Sequence, residues 1–123
     1  MLYTRDHQWI RREGEKARVG LTAFAQKELG EIAYVELPAK GRVVSAGEAV
    51  CAIDSMKSTS EVSTPVSGTI LEVNTVLADT SGGGLVNSDP EGKGWLFVVE
   101  MDKPAQMEDL LTAEQYDLYV RGS

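Results

Sequence analysis

The feature that most limits the fold of this chain is a series of short β-favouring runs separated by closely spaced turn signals. Residues 17–21 alternate apolar and polar side chains after the polar turn at residues 13–16, which predicts a hairpin with the run around residues 9–10. Further runs cover residues 32–37, 49–54, 61–64 and 95–100. The pattern predicts a fold dominated by β-structure, a small sandwich or barrel without alternating βα units.

Helical signals are confined to short segments. Thr22 is a candidate N-cap, residues 23–29 contain good helix formers and Gly30 can end the helix. Thr112 and Gln115 have the spacing of a capping box and predict a closing helix that ends near Gly122. The apolar face expected for this helix consists of Leu111, Tyr116 and Tyr119. We therefore expect short peripheral helices and a C-terminal helix packed on the sheet.

Two segments are predicted to be loops because they are rich in turn formers, namely residues 79–84 and 87–94. Trp95 is predicted to belong to the core. Cys51 lies in an apolar run and is expected to pack in the core without redox chemistry.

Composition limits the functions open to the chain. Its 123 residues are predicted to form a single domain, residues 1–123. Nineteen acidic against twelve basic residues give a net charge of −7, which disfavours nucleic acid and favours partners with basic docking surfaces. The single cysteine and single histidine predict no metal site. Apolar runs far shorter than about 20 residues predict no membrane span, and the lack of a visible leader at the N-terminus predicts a cytoplasmic protein.

The most informative local feature is Lys57, in the middle of a predicted hairpin formed around residues 55–60. A lysine at a hairpin tip is accessible to an enzyme that attaches a prosthetic group through an amide. On spacing alone, however, a solvated surface lysine is the favoured interpretation.

Motifs along nearly the whole chain favour an attachment site at Lys57 over a solvated surface lysine. They include His7-Gln8-Trp9, Val19-Gly20-Leu21-Thr22, Leu29-Gly30-Glu31-Ile32, Pro65-Val66-Ser67-Gly68 and Gly94-Trp95, in this order around Lys57. By these motifs the chain resembles the glycine cleavage H-protein family, a branch of the lipoyl and biotinyl carriers.

The resemblance implies a barrel-sandwich hybrid, which is a flattened, lipoyl-domain-like β-sandwich, and a lipoate group on Lys57. It implies a monomeric, non-catalytic carrier for the aminomethyl group and reducing equivalents of glycine breakdown. The implied partners are glycine decarboxylase (P protein), aminomethyltransferase (T protein), dihydrolipoyl dehydrogenase (L protein) and lipoate-attaching enzymes.

The attachment motif departs slightly from the family. Asp54, Ser55 and Met56 precede Lys57 where the family usually has Glu-Ser-Val, and Met-Lys is also found in biotin carriers. Biotin attachment is the less favoured hypothesis, because biotin carriers usually have Met or Leu after Met-Lys, whereas this chain has Ser58.

The candidate cleft for the arm also departs from the family. Its candidate residues are Asp6, His7, Gln8 and Glu61. Gln8 replaces a glutamate that helps to hold the loaded amine in the family, and an amide cannot pair with a charge. Glu91 replaces a common aromatic residue. These changes leave open an alternative, an H-like lipoate-binding protein that serves a heterodisulfide-reductase-like sulfur-oxidation complex.

Overall fold

The computed structural model describes residues 1–78 and 83–122, and these residues form mainly β-strands. The strands are β1 (Leu2–Tyr3), β2 (Gln8–Glu13), β3 (Lys16–Leu21), β4 (Ile32–Glu36), β5 (Val43–Val44), β6 (Ala49–Ser55), β7 (Thr59–Ser63), β8 (Gly68–Val73) and β9 (Phe97–Met101). The helices are α1 (Ala23–Leu29), α2 (Gly83–Ser88) and α3 (Ala113–Arg121), and 3₁₀ turns cover Thr75–Ala78 and Pro104–Asp109.

Two antiparallel sheets make up the flattened barrel-sandwich. The larger has the strand order β1-β2-β3-β9-β8-β5, and the smaller has the order β4-β6-β7. Residues from both sheets form one hydrophobic core, with Ile10 and Val99 from the larger sheet and Ile53 and Val62 from the smaller. This architecture confirms the predicted fold class.

The predicted first hairpin is confirmed as β2 paired with β3, and its register depends on a glycine. Gly20 lies opposite Trp9 in this pair. A Cβ atom at Gly20 would lie 2.6 Å from the indole ring, so the missing side chain leaves room for the tryptophan. The Trp9 Nε1–H donates to the Pro90 carbonyl at 2.8 Å, which satisfies the polar atom of a buried ring.

Both predicted helix signals are also confirmed. The Thr22 side chain accepts a hydrogen bond from the Ala25 N–H, and Gly30 ends α1 with φ of 81°. Thr112 and Gln115 form the capping box of α3. The Tyr116 ring stacks on Tyr3 with centroids 4.7 Å apart, which holds α3 on the edge of the larger sheet.

The structure corrects four predictions made from the sequence. Helix α2 includes Asn87 and Ser88, which were predicted to be loop, because Val86 is fully buried and fixes this segment on the core. Within the other predicted loop, residues 79–82 lie outside the described residues, while the backbone at residues 83–84 is helical.

Trp95 is only half-buried, with the Arg18 guanidinium 4.6 Å above its ring, so it is not a core residue. Tyr119 is 38% exposed and does not belong to the buried face of α3.

Candidate functional site

The turn between β6 and β7 is closed by the side chain of Ser55. Its Oγ accepts hydrogen bonds from the N–H groups of Lys57 at 3.3 Å and Ser58 at 3.1 Å, and it donates to the Ser58 carbonyl at 3.0 Å. The Ser55 N–H donates to the same carbonyl at 2.8 Å. A serine that bonds the backbone of the next residues is a standard way to fix a tight turn. The turn therefore holds Met56 and Lys57 at its tip.

The other residues of the attachment motif support this turn. Thr59 Oγ1 donates to Asp54 Oδ1 at 2.8 Å, across the first strand pair below the tip. The Met56 side chain is 73% exposed, and Lys57 is exposed beside it. Asp54 and Ser55 therefore build the turn, whereas Met56 and Lys57 are presented to the solvent.

The tip rests on the turn between α1 and β4. The Met56 N–H donates to the Glu31 carbonyl at 2.9 Å. The aliphatic stem of Lys57 passes close to Gly30, since a Cβ built on this glycine would lie 3.2 Å from the lysine Cε. The hairpin is thus anchored to a neighbouring element and does not project freely.

A cleft of about 420 Å³ lies between β7, α1 and the segment that enters β2, and its lining begins at Ser60, three residues after Lys57. Its lining consists of Arg5, Asp6, His7, Gln8, Leu21, Ala25, Glu28, Leu29, Ser60, Glu61, Val62 and Ser63. All four candidate cleft residues, Asp6, His7, Gln8 and Glu61, are therefore brought together as predicted. The mixed lining, with three carboxylates and one arginine, suits an apolar chain that ends in a small polar or cationic group.

Gln8 occupies the position at which the family has a glutamate that holds the amine, but here its side chain is buried and bonded to the protein. It is 3% exposed, and its Nε2 donates to the Ser63 carbonyl on β7. Its Oε1 accepts from Thr4 Oγ1 at 3.3 Å. Each end of the amide therefore has a partner within the protein, and Gln8 joins the two sheets beside the cleft.

His7 faces an aromatic cluster. Its φ of 63° is unusual for a residue other than glycine. Its Nδ1 lies 2.9 Å from the Tyr116 hydroxyl, and its ring packs on Phe24 with centroids 4.5 Å apart. Burial raises the pKa of the Tyr116 phenol, although its hydrogen bond with Thr22 opposes the shift. His7 therefore links α3 to the wall of the cleft.

Two long-range contacts around α1 and β4 were not predicted from the sequence, although Glu91 itself was noted there as a departure from the family. The Glu91 carboxylate accepts from the Ala23 N–H at 2.8 Å, at the start of α1. Asn87 Oδ1 accepts from the Ile32 N–H at 2.8 Å, and its Nδ2 donates to the Ile32 carbonyl at 3.1 Å. Both contacts join residues more than fifty positions apart, so no local pattern could reveal them.

The single cysteine, Cys51, is packed in the hydrophobic core. Cys51 is 5% exposed, and burial raises the pKa of its thiol to about 12, as expected for a packed side chain. Among residues 1–78 and 83–122, no group of three or more histidine, cysteine or acidic side chains could hold a metal ion. The same part of the chain contains no helix long and apolar enough to cross a membrane.

The flattened sandwich with a lysine at the tip of its central hairpin is the architecture of a carrier protein. A family model described as "Glycine cleavage H-protein" matches residues 1–122. The chain belongs to the glycine cleavage H-protein family.

Individual relatives agree with this assignment. The probable glycine cleavage system H protein of Aeropyrum pernix is 48% identical over 119 residues, covering 97% of this chain and 82% of the relative. The glycine cleavage system H protein 4 of Aquifex aeolicus is 45% identical over 119 residues, covering 97% of this chain and 68% of the relative. The crystal structure of the H protein from Mycobacterium marinum superposes with a TM-score of 0.85 and 38% identity, covering 99% of this chain and 96% of that structure.

Proposed function

We propose that this chain is the lipoyl carrier of a glycine cleavage system, with lipoate attached by an amide to Lys57. In this role it shuttles an aminomethyl group and reducing equivalents between partner enzymes, and it catalyses no reaction itself. The observation that carries the proposal is the exposed lysine on a closed turn that leads into β7, the strand that forms one wall of the cleft of about 420 Å³. Membership of the H-protein family supplies the choice of lipoate.

The residues present fit such a group. Lys57 is exposed, and within the described part of the chain no carboxylate lies within 4.0 Å of its ammonium, so amide formation breaks no ion pair. Leu29 and Val62 give the cleft an apolar lining suited to a hydrocarbon chain. Lipoate would supply the dithiolane that carries the transferred unit, whereas the protein supplies position and shelter from water.

The cleft charges suit the cargo. Asp6, Glu28 and Glu61 outnumber Arg5 in the lining, which favours a cationic amine over an anion. Since Gln8 is engaged in two hydrogen bonds, we assign attraction of the amine to these carboxylates and not to Gln8.

The proposed partners are the other components of glycine cleavage, namely glycine decarboxylase, aminomethyltransferase and dihydrolipoyl dehydrogenase, together with lipoate-attaching enzymes. We further propose one carrier domain over residues 1–123, a monomer, in the cytoplasm of its cell. A tethered arm raises the effective concentration of its cargo at each partner, so tight complexes are not needed.

The relatives bear on the alternatives. Those at 42–48% identity are glycine cleavage H proteins by name, which does not favour a carrier for a heterodisulfide-reductase-like complex. Biotin attachment is disfavoured in the same way, because the family match extends over residues 1–122.

The test is the mass of the protein from its native cells, followed by mapping of the peptide that contains Lys57. We expect a lipoyl adduct on Lys57 and none on a Lys57→Arg variant, because arginine cannot form the amide. With purified decarboxylase, aminomethyltransferase and dehydrogenase, only the modified chain should support glycine-dependent reduction of NAD. A biotin adduct, or an unmodified Lys57, would contradict the proposal.

A further inference from the structure

We propose that Gly30 is a positioning residue for the modified lysine. Its missing side chain leaves a shelf along which the stem of Lys57 lies, so that a group attached to Nζ starts at the mouth of the cleft. This inference rests on the proposed function, since it concerns the same lysine.

The contact between Gly30 and the lysine stem extends over three carbon atoms. A Cβ atom at Gly30 would lie 3.2 Å from Cε, 3.6 Å from Cδ and 3.7 Å from Cγ of Lys57. The first distance is shorter than an ordinary carbon contact, so even a methyl group would push the stem away. The stem therefore runs alongside Gly30, although Lys57 as a whole remains exposed to solvent.

The backbone conformation also requires glycine. Gly30 has φ of 81° and ψ of −156°, a combination that residues with a side chain rarely adopt. In this conformation its N–H donates to the Gln26 carbonyl at 3.0 Å and ends α1. Helix termination and the shelf thus depend on the same residue.

The shelf is held in place from both sides. Gln26 Nε2 donates to the Gly30 carbonyl at 3.3 Å and to Asn87 Oδ1 at 3.2 Å. Asn87 in turn bonds both backbone groups of Ile32. On the other side the Glu31 carbonyl accepts from the Met56 N–H at 2.9 Å. Because the glycine and the hairpin tip share these bonds, their relative position is fixed.

Gly30 lies beside residues that line the cleft, so a lysine stem that packs on it is directed toward the cleft. Glu28 and Leu29, which directly precede Gly30, line the cleft, and so does Ser60, three residues after the lysine. A stem laid on Gly30 therefore brings the point of attachment to the cleft wall. Restricting the stem in advance lowers the entropy that is lost when the arm enters the cleft.

The first test needs no substitution. In ¹H–¹³C NMR spectra of the wild-type chain, unmodified and lipoylated, we expect nuclear Overhauser effects between the Gly30 Hα protons and the Lys57 Hδ and Hε protons. Gly41 is the internal control, because no atom lies within 4 Å of its Cβ position. Absence of these effects in both forms would overturn the proposal.

The second test compares Gly30→Ala with Gly41→Ala. Both glycines have a similar positive φ, 81° and 86°, but only Gly30 contacts Lys57. In Gly30→Ala we expect the cross-peaks between the residue 30 Hα proton and the Lys57 Hδ and Hε protons to weaken, because the added methyl group displaces the stem. Gly41→Ala should keep the Gly30 cross-peaks. Undiminished cross-peaks in Gly30→Ala would contradict the proposal. If that variant does not fold, the wild-type spectra of the first test decide whether the Lys57 stem contacts Gly30.

The outcomes separate the two proposals. If wild-type protein from its native cells carries no lipoate, the proposed function fails whatever the spectra show. If Lys57 is fully lipoylated but its stem gives no contact with Gly30, only the positioning role fails.

Discussion

Individual side chains at the site act through backbone hydrogen bonds more than through charge. Gln8 is the clearest case, because its amide donates to a carbonyl of β7 and accepts from Thr4. A glutamate here could not donate to the Ser63 carbonyl and would place a buried charge against it. The neutral residue thus suits the geometry of this chain.

We expect Gln8→Glu to lower the free energy of unfolding by about 1–3 kcal/mol, the cost of leaving a buried polar group without its partner. Urea unfolding at neutral pH measures the change. Glu28→Gln, on the exposed side of the same cleft, is the control and should change stability by less than about 0.5 kcal/mol. A Gln8→Glu variant as stable as the wild type would refute the bridging role of the amide.

A similar argument applies to the turn serine. Ser55→Ala removes three hydrogen bonds that close the tip, so we expect a loss of about 0.5–1.5 kcal/mol in stability and slower lipoylation of Lys57. Lipoylation is followed by mass spectrometry with a purified lipoate-attaching enzyme. Ser58→Ala is the matched control, because the bonds at Ser58 involve its backbone. Equal lipoylation rates in the two variants would show that turn closure is not needed for recognition.

Among the elements, the short helix α2 positions the turn between α1 and β4. Asn87 lies near its end and bonds the first residue of β4 and the Gln26 side chain of α1. The element therefore fixes the turn on which the lysine hairpin rests, although none of its residues is among those that line the cleft.

Asn87→Ala should destabilise the chain by about 1–3 kcal/mol, because the Ile32 backbone groups lose their partner. Amide hydrogen exchange should rise at Ile32 and Met56, which are joined through the anchored turn. Ser88→Ala, next to it on the exposed side of α2, is the control. Faster exchange that is confined to α2 would argue against this coupling.

For the whole molecule, stability at alkaline pH depends on the core. Burial raises the folded-state pKa of the Cys51 thiol to about 12, from 9.0 for the free group. Above pH 9 the unfolded chain loses this proton first and binds fewer protons than the folded chain. The free energy of unfolding should therefore fall as pH rises, by at most about 1.4 kcal/mol per pH unit from this group.

Urea unfolding between pH 8 and 10.5 tests this expectation. Cys51→Ala should show a shallower fall than the wild type, since the thiol is removed, whereas Tyr116, whose pKa is also raised, is kept in both chains. Parallel curves for the two chains would mean that the thiol does not contribute.

Local sequence information was sufficient for much of the fold. Alternation along β3 and the capping residues Thr22 and Thr112 predicted their elements because they depend on neighbours a few positions away. The central hairpin followed in the same way, since its turn residues lie between two β-favouring runs. The candidate cleft residues were named through the family resemblance, and the structure brings them together.

The supports of the site required the tertiary structure. The bonds of Gln8 with Ser63, of Asn87 with Ile32 and of Glu91 with Ala23 each span more than fifty residues. Gln8 joins the two sheets, whereas Asn87 and Glu91 join the segment after β8 to β4 and α1, so these contacts depend on how distant elements pack. For this reason the chain order indicated which lysine is presented, whereas only the packed fold decided where its stem lies and what holds it there.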